Sequence, residues 1–203
     1  MRNLSIILLL ILASCKKEIP EMTTPDASDT TVTSAEAPKP LMEIIPGEKI
    51  GNIRLEMPAS DLDFLGDPDL SDAAMGKAWL TWYSDNSDAV SGKFELNIFT
   101  AYKDDEMKEK VVRLIRATSP EFMADSIGSG KNLQTIRTRF PDIENVGDYA
   151  FGHTKDIVSI YDDRARGIAF ELVKDSCIGV LIHPKGKDVT LDYRSFRPDM
   201  SLR

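Results

Sequence analysis

The segment KAWLTWY, residues 77–83, alternates strictly: Trp79, Thr81 and Tyr83 fall on one side, Leu80 and Trp82 on the other. That is the two-residue period of a β-strand. KFELNIFTAY (93–102) repeats it, with Phe94, Leu96, Ile98 and Thr100 set against Glu95, Asn97 and Phe99. EKVVRLIRATSPEF (109–122) reads two ways. Met107, Val111, Leu114 and Ile115 fit helical spacing, whereas the β-branched content and the alternation Val112, Leu114, Arg116 fit a strand. The turn-like Lys103-Asp104-Asp105-Glu106 before it and Thr118-Ser119-Pro120 after it decide for a strand. Upstream, MPASDLDFLGDPD predicts a short helix capped by Ser60 and ended by Gly66 and Pro68.

The same order returns in the second half. Ile127-Gly128 echoes Ile50-Gly51, and KNLQTIRTRFPD places Leu133, Ile136 and Phe140 on one helical face before Pro141 closes it. Strands are expected at about Asp156 to Tyr161, Gly167 to Val173 and Cys177 to His183, with Lys174-Asp175-Ser176 as a hairpin turn. The expected fold class is α+β: two tandem units, 42–120 and 121–190, each a short helix followed by a three-stranded antiparallel meander. The end, 191–203, with the Arg-rich YRSFRPDMSLR, reads as an extended tail.

Residues 1–14 read as a secretory signal, with Arg2 as the positive region, Leu4 to Leu12 as the apolar run and Ala13-Ser14 before the cut. The run is shorter than the roughly 20 residues a membrane-spanning helix needs. Leu12-Ala13-Ser14-Cys15 resembles the lipobox of bacterial lipoproteins. The resemblance implies a diacylglyceryl group on Cys15, cleavage just before it, and a membrane partner reached through lipid. Lys16 stands where an aspartate would resemble an inner-membrane retention signal, which favours the outer membrane. Residues 15–41 are rich in Thr, Ser, Pro and acid with no apolar period, the composition of a flexible stalk. Within it Asp29-Thr30-Thr31 resembles the short O-glycosylation sequon of Bacteroidetes. Lipidation of Cys15 leaves Cys177 without a partner in the chain; a Cys15–Cys177 disulfide is the competing arrangement.

The repeated Ile-Gly entry, the short helices ending in FLGDPD or RFPD, and the pair YDDRARGIAFEL and CIGVLIHPKG resemble the β-lactamase-inhibitor-protein-like fold. Per unit, they also resemble the small outer-membrane-assembly lipoproteins of the SmpA/OmlA type. The likeness spans about Ile45 to Lys187. Each unit here has a shorter first helix and no second one, so the resemblance implies a fold and not a particular partner.

The chain has 33 acidic and 25 basic residues, a formal net charge of −8, which argues against a nucleic-acid partner. Catalytic constellations are missing at the level of spacing. His153 and His183 read as surface or strand-end histidines, and Cys177 and His183, of equal strand parity, stand about 20 Å apart along an extended strand. DLDFLGDPDLSD fails the calcium-loop pattern in both registers, through Leu65 or Asp72. GSGKN fails the phosphate-loop pattern at Asp125 and Asn132. Asp162-Asp163-Arg164 reads as a turn. No cofactor motif, metal-ligand spacing or enzyme signature is found. The expectation is a non-enzymatic, lipid-anchored envelope protein that binds a protein partner or acts as a scaffold. The alternative is a small-ligand or glycan binder using Trp79, Trp82 or Tyr83, against the simpler reading that these rings are buried.

Overall fold

The computed structural model describes residues 42–84, 92–151, 156–196 and 200–202, all within one unit, Pro38–Arg203. Cys15, the stalk, Asp29-Thr30-Thr31 and His153 lie outside the described residues. The chain enters through three two-residue strands, β1 (Ile44–Ile45), β2 (Lys49–Ile50) and β3 (Ile53–Arg54), which pair as a small antiparallel sheet. A 3-10 helix (Ala59–Leu65) follows. Then come β4 (Leu70–Ala74), β5 (Lys77–Tyr83), β6 (Glu95–Tyr102) and β7 (Lys110–Ala117). After helix α1 (Leu133–Arg137) the chain forms β8 (Glu144–Phe151), β9 (Ile157–Asp163), β10 (Ile168–Val173) and β11 (Ser176–Ile182). It ends with helix α2 (Thr190–Phe196) and β12 (Met200–Leu202).

Strands β4 to β12 form one nine-stranded antiparallel sheet, in the order β12-β8-β9-β10-β11-β7-β6-β5-β4. The α+β expectation of two helix-plus-three-strand units is therefore overturned: the fold is mainly β. The meanders β4–β7 and β8–β11 join through their last strands, with Leu181 opposite Arg116 and Ile182 opposite Ile115. Two separate three-stranded sheets would each expose two edges, and joining β7 to β11 removes one edge from each. Three strands of this sheet went unforeseen: β12, in the segment expected as a tail, and β4 and β8. β4, LSDAA, is exposed throughout and carries no apolar alternation, and β8, ENVGDYAF, is interrupted by an irregularity between Asn145 and Gly147.

Each face of the sheet has its own apolar cluster. On the first, Ile98, Val112, Ile115, Phe170, Val180 and Ile182 pack beneath Ile50, Ile53, Leu62, Ile136 and Phe140, contributed by the small sheet and the two short helical segments. On the second, Trp79, Phe99, Leu114, Val158, Ile160 and Leu181 pack against Val189 and Tyr193 at α2. Fully burying one such side chain stabilises by about 1.5–3 kcal/mol. The segment expected as an extended tail thus supplies the cover of the second face.

The short helical segments differ from their expected form. The first is 3-10, with Pro58 at its N-cap and no side-chain cap, and it ends at Gly66 (φ 70°); Ser60 instead bonds Asp61. In α1, Asn132 Oδ1 accepts from Thr135 N at 2.9 Å, and Asp175 Oδ1 accepts from Leu133 N at 3.2 Å. The GSGKN stretch is thus a helix entry. The β10–β11 turn is Lys174-Asp175, both at positive φ (49° and 66°), the geometry of a tight hairpin.

Candidate functional site

The second face of the sheet is apolar at one end of each strand and polar across a central row. Thr81, Asn97, Arg116 and Glu171 are all buried. Asn97 Nδ2 donates to Thr81 Oγ1 (2.9 Å), and Arg116 Nη1 donates to Asn97 Oδ1 and to Glu95 Oε2 (both 2.7 Å). Arg116 Nε donates to both Glu171 oxygens, at 2.9 and 2.8 Å. Burial opposes the charge on Arg116, but the carboxylates of Glu171 and then Glu95 outweigh it and hold its pKa above the ordinary value. This row satisfies itself, so its chemistry is structural.

Beside it lies an open cleft of about 260 Å³ whose floor is Trp79 and Phe99 and whose rim includes Asp72, Met75, Lys77 and Ser195. The two floor rings are 5.0 Å apart at 36°. Trp79 Nε1 donates to Ser195 Oγ (3.0 Å), which donates to Asp192 O (2.6 Å), so α2 fixes the indole. Asp192 has its carboxyl pushed above the usual range by burial, with Lys77, Arg113 and His183 opposing the shift. Strand β4 borders this cleft. Asp72 lies opposite Trp79 and Ala74 opposite Lys77; both line the cleft, and Leu70, opposite Thr81, shares their side of the strand beyond it. All five β4 residues are exposed, Leu70 is 56% exposed and Met75, at the turn, is 100% exposed.

The aromatic set foreseen as a binding surface is divided between the faces. Trp79 is buried in the second cluster. Trp82 packs against the first, donating Nε1 to Gly66 O at 3.2 Å. Tyr83, held by Asp69 Oδ2 accepting from its backbone N at 2.7 Å, lines with Trp82 a separate cleft of about 230 Å³.

The histidine and cysteine readings need correction. His183 stands at the strand end as expected, directly after β11, but it is not on the surface: it is 2% exposed, and its Nε2 lies 2.9 Å from Oδ1 of the equally buried Asp162. The pairing escaped notice because Asp162 reads as part of a turn and belongs instead to β9. Nor do Cys177 and His183 share a face. Glu171 pairs with Gly179 and Leu172 with Cys177, so Ile178 is an extra residue that reverses the alternation. Cys177 joins the first cluster, whereas Leu181 joins the second. Burial raises the Cys177 thiol to about 12, and Sγ donates to Gly179 O at 3.3 Å, which keeps it protonated and unreactive near neutrality. Among the described residues no group of three or more His, Cys, Asp or Glu could hold a metal ion, and no helix is long and apolar enough to cross a membrane.

No protein-family model matches the chain, and no curated protein matches it. Among solved structures, a DUF4309 family protein from Bacillus subtilis is similar at 10% identity and a TM-score of 0.40, over 68% of this chain and 88% of that one. An extracellular protein containing a SCP domain, from Bacillus anthracis, is similar at 12% identity and a TM-score of 0.38. That likeness covers 90% of this chain and 53% of the other, so the chain spans about half its length.

Proposed function

We propose that the protein is a lipid-anchored component of the bacterial envelope, held at the outer membrane through Cys15, that binds an extended segment of a partner envelope protein along β4. The observation that carries the binding reading is the open edge at β4: five exposed residues, paired among the described residues only with β5, beside a cleft floored by Trp79 and Phe99. Edge strands are blunted by charges, above all lysine, by proline or by a bulge; LSDAA has no lysine, proline or bulge, and its one charge is Asp72 at the cleft. In strand addition, main-chain hydrogen bonds supply affinity and a pocket for alternate side chains supplies specificity. Asp67, Asp69 and Asp72 along the edge suit a partner segment with basic residues and one apolar side chain for the cleft. The lipobox and the stalk-like composition of residues 15–41 support the tether.

A photo-crosslinker at Ser71 in intact cells tests the binding reading. One dominant envelope protein should be recovered, and the adduct should vanish in a Leu70→Lys/Ala74→Lys chain whose thermal midpoint is unchanged. Recovery of only lipid and abundant porins overturns it. A glycan that protects Trp82 and Tyr83 from modification, with no protein adduct, would replace it by the ligand-binding reading. For the tether, mass spectrometry should find acylated Cys15, and an unmodified cysteine on a soluble product sinks it.

A further inference from the structure

A second cleft lies away from β4. It has a volume of about 600 Å³ and is walled by the small sheet and the loop after β11, with Lys49, Arg54, Leu55, Pro184 and Lys185 among its lining residues. We propose that it is a binding site for a phosphate monoester.

The geometry of Lys49 and Arg54 carries the proposal. They are direct partners across β2 and β3, next to the pair Ile50 and Ile53. Ile50 and Ile53 are buried in the core, so alternation turns both cations to the opposite, cleft side. Like charges directly opposite one another on a sheet destabilise it. Neither Lys49 nor Arg54 has a carboxylate within ion-pair distance among the described residues. Of the carboxylates in the same wall, Glu56 pairs with Arg113 outside the cleft, and Glu48 lies 3.7 Å from Lys185 and leaves Lys49 and Arg54 to each other. With 33 acidic residues against 25 basic ones, two neighbouring cations that neither wall carboxylate pairs with are a matter of placement and not of composition.

Lys185 completes the site, and Gly47 positions it. Gly47 has φ +68°, and a Cβ there would lie 2.6 Å from Cγ and Cε of Lys185 and 2.7 Å from Arg166 O. The missing side chain lets the Lys185 stem lie across the turn. An anion with two negative charges neutralises Lys49 and Arg54, and a phosphate monoester carries about −1.5 to −2 near neutral pH. The guanidinium fork takes two of its oxygens, and an ammonium acts as a point charge on a third. Leu55 and Pro184 face the organic remainder, for which the volume leaves room. Glu48 and Glu56 at the wall disfavour longer polyanions.

The test uses the full-length chain in an uncharged detergent, titrated with glycerol 3-phosphate and followed by phosphorus NMR. Saturable binding is expected, weakened by salt, absent for glycerol, and reduced at least about tenfold in Lys49→Gln and in Arg54→Gln. Both variants should melt at or above the wild-type midpoint without ligand, since each removes a repulsion. A soluble ester and a lipid headgroup share this chemistry, so Cys15→Ala chain is also floated with phosphatidic acid vesicles against phosphatidylcholine vesicles. Flotation that Arg54→Gln abolishes assigns the lipid, and ester binding without flotation assigns the soluble source. Wild-type affinity in both variants, or no saturation at millimolar ester and no flotation, overturns the proposal. The β4 surface is untouched by either substitution, so the two readings fail independently.

Discussion

Arg116 on β7 and Glu171 on β10 hold each other across a strand that lies between theirs. β11 separates them, yet Arg116 Nε is 2.9 and 2.8 Å from the two carboxylate oxygens, and the side chains are 4% and 1% exposed. Removing one member of such a pair leaves a buried charge and costs about 3–5 kcal/mol, whereas replacing both by apolar groups is often near neutral. Glu171→Gln should therefore lower unfolding stability by about 3 kcal/mol in urea titration. Arg116→Met with Glu171→Leu should recover most of that loss. Equal destabilisation in the single and double variants would show that the pair is not a unit.

The contact across β11 depends on Gly179. A Cβ at that position would stand 2.4 Å from Glu171 Oε2 and 3.4 Å from Arg116 Nε. The carboxylate is pinned by the arginine, so it has no free rotamer into which to retreat. Gly179→Ala should destabilise by about 1–3 kcal/mol, and by much less in the Arg116→Met/Glu171→Leu background. A double-mutant cycle in urea measures the coupling; additive effects would place the strain elsewhere.

The same row explains what the sequence showed and what it concealed. Alternation located β5, β6, β7, β9, β10 and β11, because apolar residues on the first face recur every second position. Nothing in the alternation marks the polar Asn97, Arg116 and Glu171 as core residues. They are buried because α2, from a segment read as a tail, packs on that face through Tyr193. The ambiguity of residues 109–122 has a similar local cause. Phe99 pairs with Leu114 and Thr100 with Val112, leaving Arg113 as a bulge that moves the apolar phase by one residue and imitates helical spacing. At the candidate site, Trp79 was legible as a strand residue. The cleft was not, because β4 carries no period and Ser195 approaches from 116 positions away.

Cys177 makes stability fall at alkaline pH. Its thiol is raised from 9.0 to about 12, chiefly by burial, so the folded state keeps a proton that the unfolded chain has already released. Stability contributed by the neutral thiol is complete below about pH 9 and is lost as the pH rises towards about 12. Urea midpoints should fall across that window, and the fall should be shallower in Cys177→Ala. Tyr149, also raised by burial, supplies a residual slope of the same sign. In the native protein near neutral pH the thiol should resist maleimide and become reactive on unfolding. Rapid native labelling would contradict the burial.

Ser195 ties the floor of the β4 cleft to α2, and its removal separates local order from fold. Its hydroxyl accepts from Trp79 Nε1 at 3.0 Å and donates to Asp192 O at 2.6 Å. A net hydrogen bond contributes about 0.5–1.5 kcal/mol, so Ser195→Ala should cost about 1 kcal/mol in urea. Trp79→Phe should abolish most of that difference when the two substitutions are combined, since both remove the same bond. In a Trp82→Phe background the remaining indole reports the cleft alone, and Ser195→Ala should shift its emission to the red as water reaches the freed N–H. If the cleft seats a side chain of the partner, the partner's segment should reverse that shift on binding. An emission maximum unchanged by Ser195→Ala would mean that Phe99 packing, and not α2, fixes the ring.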